Sequence, residues 1–272
     1  MELEFKRIAL SKFENIGIIT LNRPESLNVF SFETFREMDY ALKLFESEDK
    51  IKVILIKANC GLSADNEKVF STGENLKEYQ TKFKLIEENP AEFEKILKQS
   101  KSVLTRIETL KKPVVAGVDG LAAGGAFEFI LACDIILLSD EAKLQLNGID
   151  LGLVPAYGGL QRLLKSVGKK RAFEIAASGR IISAQEARYE MGIVAEIFSA
   201  SEFNKRIIEY CKQLSIKPSL ALWLIKDTIN QISFKPIYDE IEIKNFIKAA
   251  ASKDAKEGVE TFLSQQEAEV HN

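Results

Sequence analysis

Between Val118 and Asp134 the chain reads Val-Asp-Gly-Leu-Ala-Ala-Gly-Gly-Ala-Phe-Glu-Phe-Ile-Leu-Ala-Cys-Asp, small residues that carry a buried strand into an apolar helix beginning near Gly125. The first N–H groups of a helix have no partner within it, and the helix dipole adds partial positive charge there. Glycine at that point lets a ligand approach the backbone closely. The Gly125 N–H is therefore a candidate donor to an oxygen that gains negative charge during a reaction. Glu128 falls in the first turn of the same helix, among Phe127, Phe129 and Ile130. Burial of its carboxyl group there would move its titration towards the range useful for general acid–base work. Both features also have a plain structural explanation, in which the glycines permit close helix–strand packing and Glu128 complements the helix dipole.

A second glycine turn, Lys68-Val-Phe-Ser-Thr-Gly-Glu-Asn-Leu-Lys-Glu78, follows a strand after a loop and leads towards another helix. This turn can supply a second N–H donor. Two such groups converging on one oxygen form an oxyanion hole, and removing one donor typically costs about 10²–10³ in rate. The alternative is an ordinary helix start in which Asn75 caps free N–H groups.

The elements that must position these residues are legible as a β/α rhythm. Ile16 to Leu21 and Val53 to Ala58 read as β-branched strands, with an amphipathic helix from Phe32 to Phe45 between them. Cys60 to Gly73 reads as a loop, and the Lys/Glu-dense stretch Leu76 to Glu94 as a solvated helix or flexible loop. A polar helix from Glu92 to Leu110 precedes the buried strand Pro113 to Val118, and Ile135 to Leu138 forms a further strand. From Leu160 onward nearly everything reads helical, including Arg171 to Ser178, a segment from Ala184 to Met191 capped by Ser183, Glu202 to Leu214, Leu220 to Ile232, and Ile241 to Ala251. The expected class is α/β, with a strand-and-helix core over residues 1–200 and a helical region over 201–272.

Composition narrows the chemistry. The 272 residues are 46% hydrophobic, enough to bury a sizeable core, and 37 basic residues nearly cancel 40 acidic ones. That balance implies no nucleic-acid-binding field and points to a small-molecule partner. No apolar run approaches the roughly 18 residues that span a bilayer, and the start MELEFKRIAL has no secretory pattern, so a cytoplasmic protein is expected. Cys60, Cys133 and Cys211 are odd in number and widely spaced, unlike a disulfide framework or a thiolate zinc site. The sole histidine, His271, sits beside the C-terminus, which excludes Ser-His-Asp, Cys-His and multi-histidine metal sites unless that tail folds inward. No metal is expected, and acid–base chemistry falls to carboxylates, Lys, Tyr or the backbone.

Four ordered motifs, Thr20-Leu-Asn-Arg-Pro-Glu-Ser-Leu-Asn28, Val69-Phe-Ser-Thr-Gly-Glu-Asn-Leu76, Gly120-Leu-Ala-Ala-Gly-Gly-Ala-Phe-Glu128 and Leu151-Gly-Leu-Val-Pro-Ala-Tyr-Gly-Gly-Leu-Gln-Arg162, resemble the successive signatures of the enoyl-CoA hydratase/isomerase, or crotonase, family. Gly179 to Ala187, Met191 to Val194 and Lys253 to Phe262 extend the resemblance over nearly the whole chain. It implies a crotonase-like spiral of ββα units, a C-terminal helical region making contacts in a trimer or dimer of trimers, and enolate stabilisation on an acyl thioester in fatty acid metabolism. It further implies that the N–H groups of Glu74 and Gly125 form the oxyanion hole and that Glu128 is catalytic. Ser26, Leu27, Thr72, Asn75 and Leu76 then line the site of the substrate's coenzyme A, or of an acyl-carrier thioester, with no separate cofactor.

The chain also departs from the family pattern. Hydratases of the family usually carry a second glutamate seven residues before the proline of Leu-Gly-Leu-Val-Pro, where this chain has Gly148. Asp150 is two positions on, which in a strand displaces its carboxylate roughly 6–7 Å along the same side. Some isomerases place an acid directly after that proline, where this chain has Ala156, and Glu74 and Asn75 replace the usual small residue and aspartate of the oxyanion loop. The leading expectation is a hydratase/dehydratase-type lyase with a single glutamate. The alternatives are a double-bond isomerase, which needs only one carboxylate, and a thioester-binding protein of weak activity.

Overall fold

Ile16–Leu21 (β2) is buried at every position, as expected of a β-branched strand with parallel neighbours and both faces covered. It lies second in a six-stranded sheet ordered Ile8–Phe13 (β1), β2, Val53–Ala58 (β3), Val114–Val118 (β6), Ile135–Ser139 (β8) and Glu196–Phe198 (β11). Only β1 runs antiparallel to its neighbour. A second sheet is ordered Ile181–Ser183 (β10), Lys143–Gln145 (β9), Leu121–Ala123 (β7), Lys68–Ser71 (β5) and Gly61–Leu62 (β4). The computed structural model describes residues 5–233 and 239–270, with side chains for all of these except 232, 233, 239–242, 245, 254 and 266–270. His271 lies outside the described residues.

The chain order repeats one unit: a strand of the first sheet, a strand of the second, then helix. β3 leads through β4 and β5 to Leu76–Gln80 (α2), Phe83–Glu88 (α3) and Pro90–Thr109 (α4); β6 and β7 lead to Gly125–Ile130 (α5); β8 and β9 lead to Gly159–Ser178 (α6). This is the expected spiral of ββα units. Phe32–Ser47 (α1) starts at Ser31, whose side chain forms a reciprocal capping box with Thr34.

One core fills the space between the sheets and helices, and a second covers the other face of the first sheet. There Ile16, Ile18, Val53, Leu55, Val115 and Leu137 pack against Phe203, Ile207 and Cys211 of Phe203–Ser215 (α7). Three further helices complete the described chain: Ser219–Ser233 (α8), Asp239–Ala250 (α9) and Lys253–Val270 (α10). Phe246 and Ala250 of α9, with Ala255, Val259 and Leu263 of α10, join the main core.

Four local expectations need correction. The loop at Cys60 to Gly73 contains the β4–β5 hairpin and buries Val69, Phe70 and Ser71. The stretch Leu76 to Glu94 is not simply solvated: Tyr79, Phe83 and Ile86, spaced four and three apart, turn inward although most of their neighbours are Lys and Glu. After Leu160 the chain includes β10 and β11, three-residue strands too short to show a period of two, and a π-helical turn over Glu186–Glu190. Asp150 lies in a 3₁₀ turn, Asn147–Leu151, and not in a strand. At three residues per turn, two positions rotate a side chain by about 240°, so Asp150 and position 148 do not share a side.

Candidate active site

The oxyanion candidates come together because of how two loops are stitched. Leu27 and Asn28 adopt left-handed backbone, φ 50° and 51°, and the Asn28 side chain donates to Asn59 and Phe70 carbonyls and accepts from Arg23 N–H. The hydroxyl of Ser71 donates to Asn28 O, and Thr72 N–H donates to Leu27 O. Phe30 then pairs with the next loop: its N–H donates to Gly73 O, and its C=O accepts from Asn75 N–H. That parallel bridge uses the residues on either side of Glu74, so the Glu74 N–H points the other way, towards α5.

Gly73, at φ +81°, turns the chain against α5: a Cβ placed on it would sit 2.5 Å from Ala123 O and 2.7 Å from Gly125 N. The position where a Gly125 side chain would begin is 3.8 Å from Glu74 N. Among the described residues, neither the Glu74 N–H nor the Gly125 N–H donates to a protein acceptor. Two free donors therefore face one space at a helix start.

Glu128 projects from the first turn of α5 and is only 4% exposed. Its carboxylate accepts N–H bonds from Ala156 (3.3 Å), Tyr157 (2.8 Å) and Gly159 (2.8 Å) at the start of α6. Glycine is needed at 159, because a Cβ there would lie 2.4 Å from Glu128 Cγ. The loop is itself anchored: Arg162 donates through Nη1 to Tyr157 O and through Nε and Nη2 to both oxygens of Glu108, a buried bidentate pair.

These groups open on one cavity of about 1100 Å³, and all eight residues singled out from the sequence line it: Glu128, Gly125, Glu74, Ser26, Leu27, Thr72, Asn75 and Leu76. Asn75 also caps α2, accepting from Lys77 N–H, the structural role expected of it as a helix cap. Gly148 and Asp150 line the cavity too, but the Asp150 side chain is exposed and its oxygens lie 3.2–3.3 Å from where a Cβ on Gly179 would be.

Sequence reading missed Tyr157, Tyr79, Phe246, Phe262 and Leu263, which also line the cavity. The Tyr157 hydroxyl donates to Glu74 Oε2 at 2.5 Å. Burial, reinforced by nearby Glu78 and offset by the Tyr157 hydroxyl and Lys82, pushes the Glu74 carboxyl up to about 7. Burial, with Glu74 and Glu128 nearby, holds the Tyr157 and Tyr79 phenols well above their usual range. Among the described residues no cluster of His, Cys, Asp and Glu suits a metal ion, and no helix is long and apolar enough to cross a membrane.

The family model for enoyl-CoA hydratase/isomerase matches residues 11–271. A probable mitochondrial enoyl-CoA hydratase of Dictyostelium discoideum is 30% identical over 98% of this chain and 93% of its own length. The short-chain-enoyl-CoA hydratase of Clostridium acetobutylicum is 28% identical over 98% of each chain. A crystal structure of an enoyl-CoA hydratase from Mycobacterium avium subsp. paratuberculosis K-10 superposes with a TM-score of 0.82 at 25% identity, covering 94% of this chain and 99% of that one. A family match over nearly the whole chain, joined to a superposition that covers 94% of it, makes this chain a crotonase-fold enzyme of the enoyl-CoA hydratase/isomerase family.

Proposed function

We propose that the protein is an enoyl-CoA hydratase/dehydratase-type lyase in which Glu74 N–H and Gly125 N–H hold the thioester oxygen while Glu128 handles the proton of water. The observation that carries this reading is the pair of unsatisfied N–H groups facing the same cavity as a buried, backbone-anchored carboxylate. Negative charge that develops on the oxygen meets donors already in place, which favours the transition state over the substrate. The three N–H groups on Glu128 fix its carboxylate and leave water as the group to be oriented. Coenzyme A as the thiol carrier agrees with the names of the relatives, and three free cysteines suit a reducing compartment such as the cytoplasm. Purified protein given crotonyl-CoA and a 3-enoyl-CoA in separate assays should add water to the first faster than it moves the double bond of the second. The reverse ratio would establish the isomerase, a reading favoured by glycine at 148.

Position 148 gives a direct check. A Cβ there would meet Leu153 atoms at 3.5–3.7 Å, ordinary contact, and the backbone is not left-handed. Gly148→Glu should therefore fold and, by placing a carboxylate where hydratases of the family usually carry one, raise crotonyl-CoA hydration about tenfold or more. Asp150→Asn should leave the rate nearly unchanged, since that carboxylate rests beside Gly179. A collapse of hydration in Asp150→Asn would make Asp150 the second acid.

A trimer or a dimer of trimers belongs to the same proposal. Leu220, Leu224, Ile225 and Ile229 on α8 form an exposed apolar face of the kind that subunit contacts cover. Light scattering at micromolar concentration should give three or six chains per particle. A monomer would count against it.

A further inference from the structure

Hydration as described leaves two groups of the cavity without a task, the Glu74 side chain and the Tyr157 hydroxyl. Glu74 offers its N–H to the oxyanion hole, and its side chain leaves the same Cα, so its carboxyl is confined to the neighbourhood of the thioester. Tyr157 fixes it there. The tyrosine is 3% exposed, its ring lies 5.1 Å from that of Phe35 and 3.3 Å from where a Cβ on Gly125 would be, and its hydroxyl donates to Glu74 Oε2. Oε1 has no protein hydrogen bond among the described residues, so it is the oxygen available to a ligand.

The two carboxyl groups of the cavity sit in opposite surroundings. Glu128 receives three backbone N–H bonds at the start of a helix, an arrangement that suits an anion. Glu74 accepts one phenolic hydroxyl and is faced by Glu78, Lys82, Tyr79 and Tyr157, with burial the largest influence. Carboxyl pairs held in such unlike environments divide into a base and an acid.

We propose that Glu74 is a second catalytic residue, carrying its proton on Oε1 for delivery to C2 of the enolate, and that Tyr157 is its positioning residue. This rests on the hydratase reading. Glu128 takes a proton from water as the water oxygen bonds to C3. The C2–C3 π pair moves to C1–C2 and the carbonyl π pair moves onto the thioester oxygen. When the enolate collapses, the C1–C2 pair takes the proton of Glu74, leaving a 3-hydroxyacyl thioester, a Glu74 carboxylate and a Glu128 acid. One proton returned from Glu128 to Glu74 through solvent restores the starting state.

The test uses Glu74→Gln, which keeps the backbone donor and an acceptor for the Tyr157 hydroxyl, and Tyr157→Phe. In Glu74→Gln, kcat for crotonyl-CoA hydration should fall at least about tenfold with acyl-CoA affinity retained, a smaller loss than for Glu128 because water can stand in as acid. An acid must be protonated, so the unmodified enzyme should lose rate as pH rises through about 7. That decline should vanish in Glu74→Gln. Tyr157→Phe removes a donor that favours the Glu74 anion, so there the decline should move to higher pH, which simple loss of packing would not do. Unchanged kcat and pH profile in Glu74→Gln, with Glu128→Gln inactive, would overturn this proposal and leave the hydratase reading standing. If the unmodified protein does not hydrate crotonyl-CoA, deuterium exchange at C2 of butyryl-CoA decides. Exchange lost in Glu74→Gln upholds Glu74 while the hydratase reading fails; exchange retained in Glu74→Gln, or absent from the unmodified protein, overturns both.

Discussion

Glu128→Gln should bind acyl-CoA as the unmodified protein does and turn over crotonyl-CoA roughly 10²–10⁴-fold more slowly, the range for loss of a general acid–base group. The geometry explains why binding survives. Oε2 receives the two shorter bonds, from Tyr157 and Gly159 at 2.8 Å, and Oε1 the 3.3 Å bond from Ala156. A glutamine that places its single oxygen at the Oε2 position keeps both shorter bonds and leaves one buried donor unpaired, a cost of about 1–3 kcal/mol. The loop should hold, since Arg162 still ties Tyr157 O to Glu108. Calorimetric titration with a saturated acyl-CoA, a thermal melt and the hydration rate separate the three effects. Turnover close to that of the unmodified enzyme would remove Glu128 from the mechanism.

Gly73→Ala is the second large effect, and it acts on a residue with no functional side chain. The new Cβ would meet Ala123 O at 2.5 Å and Gly125 N at 2.7 Å, both backbone atoms, at a φ of +81° that residues with a Cβ rarely adopt. No rotamer change relieves such a contact, so the loop bearing Glu74 must move away from α5. The two N–H donors would then no longer converge, and kcat should fall by about 10²–10³, the cost of one lost oxyanion donor. A Gly73→Ala enzyme with normal kcat would show that convergence of these N–H groups does not limit the rate.

How much of this was legible beforehand depended on the range of the interaction. β2 and β3 were legible as β-branched runs, and β6 as a continuous apolar run because both faces of a parallel sheet are covered. Gly125 and Glu128 were legible because a helix start and its first turn lie within four residues. Tyr157 was not, although it stands in a motif read from the sequence: its partner Glu74 is 83 residues away, and a loop rich in glycine has no periodicity to say where a side chain points. Phe246, Phe262 and Leu263 were hidden for a related reason. An apolar stripe on a helix says that one face is buried, never against what, and here it meets a cavity built mainly from the first 160 residues. The hairpin at Gly61 and the inward turn of Tyr79, Phe83 and Ile86 were masked by surrounding polar residues.

The most direct test of the proposed mechanism is a crystal structure with acetoacetyl-CoA bound. The thioester oxygen is expected about 2.7–3.1 Å from both Glu74 N and Gly125 N, with the acyl carbons between that hole and the Glu128 carboxylate. A thioester oxygen held by side chains alone, or an acyl group seated outside this cavity, would contradict the oxyanion hole and the catalytic role of Glu128 together.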